Sequence, residues 1–260
     1  MLNQVKLGLL VFFHPRSPAA VYSNPFSLPT NILARLLNIY LSIADRISPR
    51  DRALCNVCGE ASRRFGYATA ISVQAFRANE ICLRCRSNHR TRTLVRILSE
   101  HVDFSSGKKM IVADAGAAKC TRRYFERFPD VRYLTVDRYK DSDVVSDITE
   151  IQLSDASVDV IICCHTLEHV RNYEKGIQEL YRILKPGGTA IIAVPQTEHL
   201  AASRRDRNDT FYGYGHLWEF GQDFAATLTE AGFSVRTVCA PPSAGSKSDE
   251  FLPYHIGRKG

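Results

Sequence analysis

Between Ile111 and Pro195 the chain alternates short apolar runs with longer helical patterns. Strand-length runs close on an acidic residue three times, at Asp114 (IVADAG), Asp137 (YLTVD) and Asp147 (DVVSD). A fourth run covers Val158 to Cys164, and a fifth, Thr189 to Val194, follows Lys185-Pro186-Gly187-Gly188. Strands separated by helices form βαβ units, which build a parallel sheet covered on both faces. The fold class is therefore α/β, a Rossmann-like, doubly wound, mostly parallel sheet. Such a sheet binds ligands beyond the carboxyl ends of its strands. Three carboxylates there suit a ligand rich in hydroxyl and amine donors, such as a nucleoside, and the segment has no phosphate-binding P-loop.

A chain of 260 residues has room for one large domain and a small appendage. Its hydrophobic content of 45% is that of an ordinary globular protein. The net charge of +7 tolerates acidic partners without requiring nucleic acid. The surplus is uneven, with Arg84, Arg86, Arg90, Arg92 and Arg96 in one cluster and Arg204, Arg205 and Arg207 in another. The apolar run Leu7–Phe13 after Lys6 is short for a signal peptide and lacks a small-residue cleavage site. No run reaches the ~20 apolar residues that span a bilayer. The expected location is cytoplasmic.

Four of the eight cysteines form two C-x-x-C pairs, Cys55/Cys58 and Cys82/Cys85. Two such knuckles bring four thiolates to one tetrahedral Zn²⁺. With sulfur at every position no site is left for water, so the expected zinc is structural, in a zinc-ribbon-like module. Gly59 suits the tight turn of the first knuckle. Cys163 and Cys164 sit in an apolar strand and read as small hydrophobes.

Three segments follow. Residues 1–49 hold a proline-rich leader and an amphipathic helix over 31–47. On that helix Asn31, Arg35, Asn38, Ser42, Asp45 and Arg46 share one narrow polar stripe. Its wide apolar face packs on the large domain or a second protomer, or lies in a membrane surface as a peripheral contact. Residues 50–101 hold the four-cysteine module and a linking helix over 87–101 with Ser87 as its cap. Residues 102–260 form the α/β domain.

Ile111-Val112-Ala113-Asp114-Ala115-Gly116, the acidic strand ends and His165-Thr166-Leu167-Glu168-His169-Val170 together resemble class I S-adenosylmethionine (SAM)-dependent methyltransferases of the type 11 kind. The resemblance covers roughly residues 108–240 and implies a seven-stranded sheet. Cys82-Leu-Arg-Cys85-Arg-Ser87-Asn-His-Arg90 and His216-Leu-Trp-Glu-Phe220-Gly221-Gln-Asp223 are similar to a group of bacterial methyltransferases with an N-terminal four-cysteine module. By resemblance Asp114, Gly116, Asp137, Asp147, Ile148 and His165 line the cofactor, with Asp137 on the ribose, Asp147 near the adenine amine and Ile148 packed on the ring. The later glycines of the family motif are replaced by Ala118 and Cys120.

Methyl transfer to a hydroxyl needs a general base near neutral pH, and histidine fits by its ordinary pKa. His165, His169 and His216 are the candidates, and His169 with Glu168 has the alternative of holding the turn into the next helix. The leading reading is a methyltransferase for a small-molecule or glycan-type acceptor. RNA is the alternative acceptor, gripped by the zinc module and the arginine run. A scaffold without catalysis is a third reading, suggested by the altered glycine motif.

Overall fold

The computed structural model describes residues 38–43, 53–62, 66–70, 75–139, 141–205, 215–240 and 252–260. These divide into two compact units between Arg96 and Ile97.

In the first unit, helix α1 is described over residues 38–43. Leu41 and Asn38 are buried, whereas Ile39, Tyr40 and Ile43 are more than half exposed. Asn38, expected on the polar stripe, thus points inward; the remainder of the 31–47 helix lies outside the described residues. Two knuckles follow. Strands β1 (Ala53–Leu54) and β2 (Ala61–Ser62) pair around the first. Strands β3 (Gly66–Ala70) and β4 (Ala75–Ile81) form the hairpin that leads into the second.

The knuckles repeat one backbone pattern. Gly59 N donates to Cys55 O and Cys55 N to Glu60 O; Arg86 N donates to Cys82 O and Cys82 N to Ser87 O. The turn residue is left-handed in both, Gly59 at φ 74° and Arg86 at φ 68°. Helix α2 (His89–His101) comes next. Its cap is Asn88, whose Oδ1 accepts from Thr91 N and Oγ1. Ser87, expected as the cap, is instead drawn into the thiol cluster.

The second unit is a seven-stranded sheet in the order β12-β13-β9-β8-β5-β6-β7. Its strands are β5 (Met110–Ala115), β6 (Val131–Asp137), β7 (Val144–Val145), β8 (Val158–Cys164), β9 (Leu184–Ala193), β12 (Phe233–Ala240) and β13 (Leu252–Lys259). Pairing is parallel from β7 through β9, and β13 runs antiparallel to both neighbours. This is the Rossmann-like, mostly parallel sheet expected from the alternating pattern.

The central strand β8 buries consecutive residues, Ile161, Ile162 and Cys163, as a strand covered on both faces must. Helix α4 (Tyr173–Ile183) lays Ile177, Leu180 and Ile183 on one face of the sheet. Asn172 caps it by accepting from Lys175 N. Lys185–Gly188, expected as a break before the fifth strand, falls within β9. It bulges from the ladder, for β8 pairs Val158 with Leu184 and then Val160 with Thr189. Helices α3 (Thr121–Phe125) and α5 (Phe224–Glu230) are short. A small ribbon of β10 (Arg204–Arg205) and β11 (Trp218–Glu219) lies between β9 and β12 in sequence. Among the described residues no helix is long and apolar enough to cross a membrane.

Candidate functional site

The chain enters the sheet at β5, moves outward through β6 and β7, and returns to β8 on the other side of β5. Strand order therefore reverses between β5 and β8, where open sheets form their ligand crevice. Gly116 stands just past β5 at φ 79°. Its N–H donates to Val136 O at 3.1 Å. A Cβ on it would lie 2.2 Å from Thr166 Oγ1, which itself donates to Ala115 O. Both the backbone conformation and the close packing of Thr166 thus require glycine. The altered positions Ala118 and Cys120 follow it, leading into α3.

Asp137 closes β6 and is half-buried; its backbone carbonyl accepts from Ser146 N. The register that pairs Ala115 with Val136 sets Gly116 and Asp137 side by side past their strands. Asp147 is exposed, and its Oδ1 accepts from Thr149 N and Oγ1. Those bonds hold its carboxyl below the ordinary range. Ile148 turns its side chain into the core beneath α4, near Gly176, rather than onto an open face.

Asp114 is buried, and Tyr133 Oη donates to its Oδ2 at 2.6 Å. Tyr133 sits on the same face of the adjacent parallel strand, two residues before Thr135, the register partner of Asp114. Strand periodicity carries that signal, although it is weak without the strand order. Burial pushes the Asp114 carboxyl from about 3.8 up to about 7, against the opposing Tyr133 bond. An acid with a raised native pKa holds its proton in the fold after the unfolded chain has lost it. Its stability contribution is full below pH 3.8 and is lost as pH rises to about 7. Asp114→Asn is therefore expected to flatten the decline in unfolding free energy across that window. The change would reach at most about 4 kcal/mol at the alkaline end, measured by denaturant titration at several pH values.

Beyond β8 the backbone turns through His165 at φ 56° into a 3-10 turn, Leu167–His169. His165 Nδ1 lies 3.5 Å from Glu168 Oε1. Glu168 is 1% exposed. Burial opposes its charge, but the His165 hydrogen bond and the His165 and His169 charges outweigh burial, so its carboxyl stays below the usual range. His169 Nδ1 is 3.1 Å from Gly215 O, and its ring meets that of buried His216 edge-on at 4.8 Å. Leu217 N donates to Glu168 O and Trp218 Nε1 to Val170 O, which fix the His216 segment against the 3-10 turn. Sequence separated these histidines by 47 positions; the structure brings His165, Glu168, His169 and His216 into one cluster.

The four cysteines also converge. Cys55 Sγ lies 3.8 Å from Cys85 Sγ, and Cys58 Sγ 3.9 Å from Cys82 Sγ. These gaps are far too wide for disulfides. A tetrahedron with Zn–S bonds of about 2.3 Å has edges of about 3.8 Å, so the donor set fits Zn²⁺. Burial pushes the Cys58 thiol up to about 11, with Cys55 and Cys82 adding to the shift. A cation offsets that resistance to ionisation. Ser87 Oγ accepts from Cys85 Sγ at 3.2 Å and lies 3.5 Å from Cys55 Sγ, a supporting contact not read from the sequence.

Two arginines singled out by charge already have partners. Arg92 is buried and donates to Ser87 O. Arg204 binds Glu219 Oε2 through Nε and Nη2. Arg207, Phe211, Tyr212 and Tyr214 lie outside the described residues. Burial pushes the Cys163 and Cys164 thiols up, consistent with inert apolar fillers.

A family model described as a methyltransferase domain matches residues 103–192. The domain in this stretch of the chain is similar to that family. This domain is 33% identical over 93 residues to a Mycolicibacterium smegmatis protein named as a probable SAM-dependent methyltransferase, covering 34% of each. It is 28% identical over 104 residues to an uncharacterised Methanocaldococcus jannaschii protein, covering 37% of this chain and 46% of that one. The chain thus spans between a third and a half of the length of the curated relatives it matches.

Two solved structures share the methyltransferase architecture. One is Burkholderia thailandensis 1,6-didemethyltoxoflavin-N1-methyltransferase, with 1,6-didemethyltoxoflavin and S-adenosylhomocysteine bound; its TM-score is 0.50 at 20% identity, covering 65% of this chain and 78% of that chain. The other, a Listeria monocytogenes protein described as a SAM-dependent methyltransferase, has a TM-score of 0.51 at 12% identity, covering 66% and 99%. At these identities the likeness is one of fold.

Proposed function

We propose that this chain transfers a methyl group from SAM to a small-molecule or glycan-type acceptor. The observation that supports the reading is the strand-order reversal between β5 and β8, with Gly116 and Asp137 side by side just past their strands. When bound, SAM supplies an electrophilic methyl group on a positively charged sulfur. Asp137 accepts hydrogen bonds from the two ribose hydroxyls, and Gly116 admits the cofactor close to the backbone. Asp114 lies deeper at the methionine end. Asp147 faces the adenine amine, with buried Ile148 holding the loop beneath it.

Alignment of acceptor, methyl carbon and sulfur is a proximity effect. His165 and His216 stand on the acceptor side, and His165, oriented by buried Glu168, is the better placed to take a hydroxyl proton. The four cysteines hold a structural zinc that folds the segment around them. Reduced thiols at this density suit the cytoplasm. The RNA reading loses support because Arg92, central to the arginine run, is committed to Ser87.

Calorimetric titration with SAM and with S-adenosylhomocysteine tests the reading. Saturable binding of both is expected, and no heat at millimolar ligand would leave only the scaffold. His165→Ala is expected to lower kcat by about 10²–10⁴-fold with SAM affinity little changed, measured by S-adenosylhomocysteine release once an acceptor is found.

A further inference from the structure

Glu168 presents an unexplained group. Its side chain is 1% exposed, its Oε1 faces His165, and its Oε2 has no hydrogen-bond partner among the described residues. A buried carboxylate oxygen left unpaired is costly unless a cation meets it. Two imidazoles stand beside it. Donor atoms of Glu168, His169 and His216 lie within 4.8 Å of one another.

The His169 contact fixes its tautomer. A backbone carbonyl only accepts, so Nδ1 donates to Gly215 O, and once the ring is neutral Nε2 carries the lone pair. A histidine held by a carbonyl at one nitrogen and open at the other is the usual arrangement of a metal ligand. The Leu217 and Trp218 hydrogen bonds to Glu168 and Val170 hold His216 in place beside it.

We propose that Glu168, His169 and His216 form a second metal site, distinct from the four thiols, that takes a divalent ion of the zinc class. Two nitrogens and one carboxylate oxygen suit borderline first-row ions and disfavour Mg²⁺ or Ca²⁺. Tetrahedral donors at about 2.0–2.1 Å stand about 3.4 Å apart, so the widest pair at 4.8 Å must close by about 1.4 Å. His169 is exposed, which leaves its ring room to adjust. Three protein ligands leave a position open, the pattern of a site that acts on a bound molecule. The open position takes an oxygen of the acceptor and lowers the pKa of its hydroxyl. That use rests on the methyltransferase reading, whereas metal binding does not. It makes His216 a ligand and leaves His165 as the proton acceptor.

Titration of the full chain with Co²⁺, followed by absorption, separates the two sites, since only the four-cysteine site gives thiolate charge-transfer bands. The expected result is one thiolate-bound equivalent and one equivalent without such bands. Glu168→Gln and His216→Ala should each remove the second while keeping the first. His169→Ala, at an exposed side chain, gives the same loss without risk to folding. Zinc content by mass spectrometry should follow the same pattern. A wild-type chain with no equivalent outside the thiolates, or an outside equivalent that survives all three substitutions, overturns the site. SAM calorimetry on the same samples keeps the outcomes apart, because loss of cofactor binding speaks to the methyltransferase reading alone.

Discussion

Asp137→Ala is expected to abolish SAM binding while the domain remains folded. The carboxylate closes β6 beside Gly116, and its proposed task is to accept hydrogen bonds from both ribose hydroxyls. Hydrogen bonds to a charged acceptor contribute about 1.5–3 kcal/mol each, so two removed together amount to about 3–6 kcal/mol. That is a loss of about two to four orders of magnitude in affinity. The fold should not notice. Asp137 is half-buried at a strand end, and it is the backbone carbonyl that holds Ser146 in place. Calorimetry would give the affinity and thermal unfolding the stability. Wild-type affinity in the variant would remove Asp137 from the ribose and, with it, the proposed orientation of the cofactor.

The sheet was legible because its central strands are buried on both faces. Burial on both faces leaves an uninterrupted apolar run such as Val158–Cys164, which is the full extent of β8. Strand ends were legible too, since an acidic residue closes β5 and β6 at or near the crevice. What stayed hidden depends on partners distant in sequence. Tyr133 reaches Asp114 only because β6 lies beside β5. Ile148 looked available for a ring, but α4 passes over it and draws it into the core. Ser87 fits a helix cap by type, yet the thiols claim its hydroxyl and Asn88 takes the cap. Arg92 and Arg204 looked like free charge until Ser87 O and Glu219 met them. Glu168 and His169 read as turn residues; the approach of His216 gives them a second meaning.

Removal of zinc from the four-cysteine cluster carries the other large expected effect. The structure around it is slight: β1 and β2 are two residues each, and the two knuckles close on the thiols themselves. Structural zinc contributes about 10–16 kcal/mol in small modules of this kind, enough to decide whether they fold. The purified chain is expected to carry zinc on these thiols. A strong chelator should release it and raise amide exchange across residues 53–62 and 81–88. Strands β5, β8 and β9 have their own core and should keep their protection. Cys55→Ser and Cys82→Ser should each reproduce the chelated state. Cys163→Ser provides the control, since its thiol is a buried filler of the sheet. Ser87→Ala should weaken zinc by about 10–100-fold, as removal of a supporting hydrogen bond does at other metal sites. If the chain held no thiolate-bound zinc, and chelator left exchange in the knuckles unchanged, packing alone would have to account for four thiols spaced as a metal would space them.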